Sequence, residues 1–427
     1  MLFRKTLNSL YASITEISFL FLSYFYMLWL MPIYVVKLFS NQGFTYDFSL
    51  QRAIIGFGLF LVSLSTYILV KTGRKSFFTF FILLVLVVPN LVLYQVSGAH
   101  IGITLSMILL LYASLIPVRW PEVRFSISSK VRNNLLVALI IVLAAFMIYD
   151  FGIIPKLASF SLGEAQYAIR SQVRSSTSLI SAYSFSLVSQ YALPFIILTY
   201  YKAKRRNLAF AFTFLLVYLF MLNPHKTVLF NMFVMLILFG GLTYRTKLYS
   251  LMAALLVLSI LGRIESQFAL EGKGWIESLY YRRFLLLPAR LNTCFLEIFQ
   301  DRPIQLSHSI LRHWFDYPYR LQPPYLVCEY CLGSAEGHAN NGLFSDGFMN
   351  FGWLGAISWS LGLGFLLNFL SALKIPAHYA LLDFIFLNFL KSTAVFTAML
   401  THGGWFYLLL LIILNSVNLS KLSPRVK

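Results

Sequence analysis

The sequence is poor in charged residues, in acidic residues above all, and in cysteine. Charged residues make up 11% of its 427 residues, whereas about a quarter is usual in a soluble domain. Only 15 Asp and Glu stand against 34 Lys and Arg, and 59% of the residues are hydrophobic. This balance excludes a water-soluble fold. The sequence also has no Walker motif and no dinucleotide-binding glycine loop, which excludes those two kinds of nucleotide site.

Long apolar runs fill most of the chain and predict an all-α, polytopic integral membrane protein. Only helices and closed barrels can cross a bilayer, and these runs are too long and too apolar for strands. The run at 14–36 is longer than the apolar part of a cleavable signal peptide, so it is predicted to be the first span. About twelve transmembrane helices are predicted, near residues 14–36, 53–70, 77–95, 101–117, 135–151, 179–200, 208–222, 227–243, 248–262, 348–370, 380–400 and 404–419.

The positive charges predict how these spans are oriented. Alternate loops hold lysines and arginines with Glu122 as their only clear carboxylate, which is the pattern of cytoplasmic loops. Both termini are therefore predicted inside, and the positive excess requires no nucleic-acid partner. The opposite side carries two larger loops, at 152–178 and 263–347. This divides the chain into helices 1–9 (1–262), the large loop (263–347) and helices 10–12 (348–427).

The first of these outer loops carries a pair of arginines. Ser161 and Glu164 form a capping-box pattern that predicts a short helix. Arg170 and Arg174 are then four residues apart on one face, where two guanidiniums match the oxygens of a phosphate or diphosphate. The alternative is a pair of interfacial arginines that bind lipid headgroups.

The large loop carries a second set of arginines, Arg282, Arg283 and Arg290. Arg283, Arg290 and Glu297 are spaced by seven, which keeps them on one helical face if Pro288 does not redirect the chain. The apolar residues between them predict a helix at the membrane surface. These arginines are candidates for diphosphate binding, and a solvated or headgroup-binding face is the alternative.

Polar residues crowd the end of the large loop, immediately before the tenth predicted span. Glu336, His338 and Asp346 could each accept a proton from a sugar hydroxyl, so they are the candidate catalytic residues. The alternative is a network that caps the next helix. Lys391 lies inside the eleventh predicted span and is a functional candidate, because an ammonium group is costly in hydrocarbon. Snorkelling or pairing with a backbone carbonyl is the other reading of Lys391.

Three cysteines, Cys294, Cys328 and Cys331, all fall in the large loop. They do not complete a four-ligand zinc set, and neither a metal nor a cofactor is expected. On an oxidising outer face a disulfide is favoured, with one thiol left over. The pairing stays open.

These features together resemble a known family. The chain resembles the Wzy-type O-antigen polymerases of Gram-negative bacteria, in its many spans and in two outer loops with arginine clusters. The local resemblance lies in Arg282-Arg283, Pro288-Ala289, Asn292, Leu306-Ser307-His308-Ser309, Ala339-Asn340-x-Gly342 and Phe351-Gly352-x-x-Gly355.

The resemblance implies an integral membrane glycosyltransferase of the bacterial inner membrane, with its site facing the periplasm. Its substrates would be oligosaccharide repeat units linked to undecaprenyl diphosphate within the lipid bilayer. Arg170 or Arg174 and the pair Arg282-Arg283 would hold the diphosphates, and His338 or a neighbouring carboxylate would be the base. A co-polymerase that regulates chain length is the expected protein partner.

Other membrane functions fit parts of the same pattern. An O-antigen ligase has similar spans and one large outer loop, so topology barely separates the two. A lipid-linked oligosaccharide flippase can also have twelve spans, but it needs no loop as large as 263–347. A polyprenyl-phosphate sugar transferase would want paired carboxylates in its first outer loop, where this chain offers only Asp47.

Overall fold

Helices are the only regular secondary structure among the residues whose structure is described. A computed structural model describes residues 2–70, 73–121, 128–160, 169, 172–173, 177–334 and 337–422, and no strand occurs among them. The all-α prediction is therefore confirmed for these residues. Helices of five or more residues, α or π in type, run over Leu2–Leu30, Met31–Val36, Leu50–Leu69, Arg74–Phe81, Ile82–Val87, Val88–Ser97, Ile101–Leu115, Ser129–Phe151, Leu179–Leu187, Val188–Ala192, Leu193–Lys202, Arg206–Leu222, Lys226–Phe239, Tyr244–Phe268, Ser278–Leu286, Leu287–Phe299, Pro323–Leu332, Leu343–Ala372, Ala380–Ser392, Thr397–Thr401 and Gly404–Leu422.

Seven helical stretches of the described residues are long and apolar enough to cross a membrane. Shorter apolar helices accompany them, such as Ile101–Leu115 and Arg206–Leu222. The apolar stretch of Ser129–Phe151 is only 22% buried, so most of it faces outward, as lipid tolerates and water does not. This is the architecture of a multi-pass membrane protein. The seven stretches are Ile14–Gln42, Leu50–Ile68, Arg74–Ser97, Ser129–Phe151, Leu179–Lys202, Tyr244–Phe268 and Leu343–Ala372.

Each predicted span coincides with helical structure, and the spans predicted at 348–370 and 380–400 are interrupted. The predicted division between the spans 208–222 and 227–243 is present, since Arg206–Leu222 ends before Asn223-Pro224 and Lys226–Phe239 follows. The predicted span at 380–400 is not one helix, because its first part ends at Ser392. Helical structure resumes at Val395, whose amide donates to Asp346 Oδ2 over 3.0 Å. A buried carboxylate that caps the new helix stabilises this interruption.

The chain forms two compact units, of which the first contains the large loop. This unit comprises Met1–Arg119, Leu251–Ala372 and Leu390–Val395. The apolar stretch of Arg74–Ser97 is wholly buried and forms its centre. Near one end of the unit, Asn368 Nδ2 donates to the carbonyls of Ser114 and Ile116 over 2.8 and 2.6 Å. These bonds satisfy carbonyls that the end of Ile101–Leu115 would otherwise leave unpaired.

The second unit comprises Trp120–Ser250, Leu373–Phe389 and Phe396–Lys427. It buries a carboxylate, Asp383, whose oxygens accept hydrogen bonds from Tyr407 at 2.7 Å and Tyr244 at 3.1 Å. The Tyr407 ring also packs on Tyr191, with centroids 5.6 Å apart. Hydroxyl donors from two different helices therefore hold an acidic group in an otherwise apolar interior.

Candidate functional site

The arginines of the large loop lie on one continuous helical stretch, residues 275–299, which we call the arginine helix. Its middle, Ser278–Leu286, is π-helical, and an α-helix continues over Leu287–Phe299. Pro288 is the second residue of that continuation and has no N–H to donate. The wider π-helical turns accommodate the proline without ending the helix, so the chain runs on through Pro288.

Arg282 is buried and its guanidinium is held on three sides. Its Nη1 donates to Gln42 Oε1 over 2.7 Å, and its Nε and Nη2 donate to Ser278 Oγ over 3.0 and 2.8 Å. The guanidinium also stacks over the Phe39 ring, 4.1 Å from the centroid. Burial, with the charge of Arg283 beside it, lowers the pKa of Arg282 to about 10, so the group stays charged at neutral pH.

Arg290 reaches the same segment, residues 39–43, from further along the arginine helix. A Cβ at Gly43 would lie 2.7 Å from Arg290 Nη2, so the guanidinium lies against this residue. The φ of Gly43 is +74°, a backbone conformation that favours glycine. Arg290 Nη1 also lies 3.4 Å from Glu297 Oε1. Arg290 and Glu297 therefore share a face, as their spacing predicts.

The π-helical turns change which arginine accompanies Arg290. Uniform α-helical spacing predicts Arg283 on that face, but Arg283 is exposed, and Arg282 is the residue that meets 39–43. The expectation of an Arg283–Arg290–Glu297 face is therefore wrong in its first member. The physical reason is the register shift through Ser278–Leu286.

Glu277 is a buried acid that sequence reasoning missed. Its carboxylate accepts hydrogen bonds from Ser266 Oγ and, over 3.3 Å, from the Tyr26 hydroxyl. Arg263 Nη1 lies 3.9 Å away. Burial raises the pKa of Glu277 despite these donors. The sequence does place this acidic residue among apolar and aromatic residues shortly before Arg282, a pattern that could have indicated a buried acid.

Asp346 is buried beside a sharp bend in Leu343–Ala372. Its Oδ2 accepts from Trp359 Nε1 over 2.9 Å and from the Val395 amide over 3.0 Å, and its Oδ1 accepts from Asn350 Nδ2 over 3.3 Å. The helix between Asp346 and Trp359 is broken at Phe351 and Gly352. Asp346 therefore ties the two sides of the bend to each other and to the helix that begins at Val395.

The bend explains the glycines of the Phe351-Gly352-x-x-Gly355 segment. Gly352 has a φ of +59°, which side chains rarely adopt. Gly347 and Gly355 then approach so closely that a Cβ on Gly347 would lie 2.6 Å from the Gly355 carbonyl oxygen. These glycines are required by backbone geometry.

His338 lies on the surface and its ring contacts that of Tyr325, with centroids 4.1 Å apart and the ring planes tilted by 48°. The next residue anchors the chain, since the Ala339 amide donates to the Pro324 carbonyl over 2.9 Å. Three other predicted site residues, Glu336, Arg170 and Arg174, lie outside the described residues.

Hydrogen bonds join the end of the large loop to the arginine helix. Ser345 Oγ donates to Asn292 Oδ1 over 2.7 Å, and Asn292 Nδ2 donates to Asn90 Oδ1 over 3.3 Å. Gly342 packs against a different segment, because a Cβ there would lie 2.3 Å from the Lys391 carbonyl oxygen. The structure thus brings the segment around Asp346 against the helix that bears Arg282, Arg283 and Arg290.

A disulfide fixes the far end of the arginine helix. Cys294 is bonded to Cys331 on the helix Pro323–Leu332, and Cys328 is free and buried. The disulfide lies in an apolar cluster that includes Phe295 and Phe299. The prediction of one disulfide with one thiol left over is therefore confirmed.

Comparison of this chain with family models, curated proteins and solved structures finds no match.

Proposed function

We propose that this protein is a membrane glycosyltransferase that polymerises oligosaccharide repeat units carried on undecaprenyl diphosphate. An acceptor hydroxyl oxygen attacks the anomeric carbon of the donor glycan. The bond from that carbon to the diphosphate oxygen breaks, and undecaprenyl diphosphate leaves with the electron pair. The hydroxyl proton passes to a base on the protein. The product is O-antigen or a related surface polysaccharide.

The observation that carries this proposal is the pre-organised arginine helix. Arg282 and Arg290 are held by neighbouring groups, and Arg283 is exposed beside Arg282. The leaving diphosphate gains negative charge as the glycosidic bond breaks, and fixed guanidiniums stabilise that charge without reorganisation. Three of the five N–H donors of Arg282 are used within the protein, so two can still meet phosphate oxygens.

His338 is the proposed base. It is exposed and its ring is oriented by Tyr325, whereas the carboxylate of Asp346 already accepts from three donors. Asp346 is better suited to hold the polar segment in place. Glu336 and the Arg170–Arg174 pair keep their proposed roles as a second acid and a second diphosphate clamp.

We also propose a specific membrane topology, which goes beyond the seven long apolar helices of the structure. Twelve spans with both termini inside would place the loops 152–178 and 263–347 in the periplasm and the site at the outer face of the bacterial inner membrane. The partners would be the lipid-linked substrates, the bilayer and a chain-length-regulating co-polymerase, with no nucleic acid, metal or cofactor.

A polysaccharide gel tests this function in a strain that lacks the gene. We expect lipid A core with a single repeat, and a ladder restored by the wild-type gene but not by Arg282→Ala/Arg283→Ala. Arg312→Ala, which removes an exposed arginine of the same loop, is the matched control and should restore the ladder. Core without any repeat would contradict a polymerase, and long lipid-linked polymer in that strain would identify a ligase.

A further inference from the structure

A short turn of the second unit, Ala377–Tyr379, packs on the end of the helix Leu193–Lys202. The Tyr379 hydroxyl lies 2.9 Å from Thr199 Oγ1. The Tyr379 ring stacks on that of Phe195, with centroids 5.0 Å apart. These contacts fix the turn against the helix end, where basic side chains gather.

Arg132 lies against the same helix and is only partly paired. It is buried, and its guanidinium lies over the Phe195 ring, 5.4 Å from the centroid. Its Nε and Nη2 donate to Asn133 Oδ1 over 3.0 and 2.9 Å. Among the described residues Nη1 meets no acceptor, so the two N–H groups of Nη1 can bind a further oxygen.

Two lysines lie close to the histidine of the turn, His378. Burial, together with the charges of Lys202 and Lys247, lowers the pKa of His378 to about 4, so the imidazole is uncharged at neutral pH. Lys247 is buried, and its Nζ donates to the carbonyls of Leu238 and Gly240, the second over 2.9 Å. Lys202 is exposed. We call Arg132, Lys202 and Lys247 the basic cluster.

The basic cluster has no acidic counterpart among the described residues. The ion pairs within 4.0 Å include none of its three members. The described acidic residues of the second unit are Asp150 and Asp383. Asp150 lies at the opposite end of the helix that bears Arg132, and Asp383 accepts from two tyrosines. Two of the cations are buried, and buried cations are costly unless an anion balances them.

The basic cluster lies where three long apolar helices end. Each of its members is within one turn of the end of a helix that is long and apolar enough to cross a membrane. Ends of such helices lie at the membrane surface, at the depth of the phosphate groups of phospholipids. The three helices are Ser129–Phe151, Leu179–Lys202 and Tyr244–Phe268.

An exposed apolar strip leads away from Arg132 along its helix. Leu135, Leu139 and Val142 follow the spacing of one helical face, and all three are exposed. Exposed apolar side chains on a membrane helix favour contact with lipid acyl chains. Cations at the helix end and an apolar strip below them match the two parts of a phospholipid.

We propose that Arg132, Lys202 and Lys247 bind the phosphate group of an anionic phospholipid such as phosphatidylglycerol. The phosphate oxygens accept from Arg132 Nη1 and from the lysine ammonium groups, and their negative charge offsets the buried cations. An acyl chain lies along the strip of Leu135, Leu139 and Val142. A zwitterionic lipid carries no net charge and binds more weakly. This lipid site is separate from the proposed diphosphate site and does not depend on the polymerase function.

The test measures thermal stability of the purified protein in detergent with added phosphatidylglycerol, or with phosphatidylethanolamine of the same acyl chains. Binding to the folded state should raise Tm in phosphatidylglycerol by about 2–5 °C over phosphatidylethanolamine. Inorganic phosphate should not reproduce this increment, because it brings no acyl chain. Equal Tm values in the two lipids would overturn the proposal, and an equal rise in inorganic phosphate would overturn the assignment to a lipid.

Charge reversal at an exposed position separates the basic cluster from the overall positive charge of the protein. Lys202→Glu should lose most of the phosphatidylglycerol increment. Arg119→Glu makes the same change of charge at an exposed arginine of the first unit and should keep the increment. A full increment in Lys202→Glu, or an equal loss in both variants, would overturn the proposal.

Arg132→Gln tests the buried member of the basic cluster in the same assay. The amide keeps a polar group at this position but removes the charge and the Nη1 donors, so most of the increment should be lost. A folded Arg132→Gln protein with the full increment would contradict the role of Arg132. If this variant fails to fold, Lys202→Glu decides, because its substitution is at the surface.

Discussion

Arg282, Asp346 and Glu277 show how this apolar protein keeps buried charges. Arg282 bonds to Ser278 and Gln42 and stacks on Phe39. Asp346 accepts from three donors, and Glu277 accepts from Ser266 and Tyr26. Each of these charges would be strongly destabilising if its partners were removed. Their first effect is therefore to fix the position of the polypeptide around the arginine helix.

Removing the Asp346 carboxylate should destabilise the protein. Asp346→Ala would leave Trp359 Nε1 and the Val395 amide without their acceptor, at a cost of about 2–4 kcal/mol. We expect a clear fall in the denaturation midpoint in detergent, partly recovered by Asp346→Asn. The exposed Asp316→Ala is the control and should change stability by less than about 0.5 kcal/mol. An Asp346→Ala protein as stable as the wild type would refute the structural role.

His308 should make stability depend on pH. Burial lowers its pKa below the ordinary value of 6.5. Below that pH the unfolded chain binds a proton that the folded chain resists, so stability rises with pH and falls as the pH drops beneath about 6.5. We expect Tm to fall between pH 7.5 and pH 5.5, and to fall less in His308→Gln. The exposed His313→Gln should keep the full pH dependence, and an equal pH dependence in His308→Gln would contradict this origin.

At the scale of elements, the arginine helix is the part that the sequence predicts only incompletely. The helix itself and the shared face of Arg290 and Glu297 follow from apolar spacing. The π-helical register through Ser278–Leu286 does not, because it depends on packing around Pro288, and it exchanges Arg283 for Arg282 at residues 39–43. The interruption after Ser392 could not be predicted from the sequence either. The carboxylate that caps the next helix at Val395 belongs to Asp346, which is distant in the sequence.

A disulfide also constrains the arginine helix. Cys294 and Cys331 are 37 residues apart, and their bond ties the arginine helix to Pro323–Leu332. Cys294→Ser/Cys331→Ser should lower stability by about 2–4 kcal/mol, measured by denaturation in detergent. Unreduced, denatured wild-type protein should take up a single maleimide, at Cys328. Three maleimides before reduction would show that the bond is absent.

At the scale of the whole molecule, composition predicts the class of the protein well. Long apolar runs lead directly to the multi-pass helical architecture, because lipid requires every backbone group to be satisfied within the chain. The bend at Phe351–Gly352 and the contact between Gly342 and Lys391 are not visible in such runs. The bend depends on the close approach of Gly347 to Gly355, and Gly342 packs against the backbone of Lys391, which is distant in the sequence.

The proposed polymerase activity can be measured with purified protein in lipid bilayers and a single repeat unit on undecaprenyl diphosphate. We expect products of two and more repeats by mass spectrometry, with release of undecaprenyl diphosphate. Arg282→Ala/Arg283→Ala should abolish these products, while Arg312→Ala should not. Only unextended substrate with folded wild-type protein, or undiminished extension by the double variant, would contradict the proposed activity.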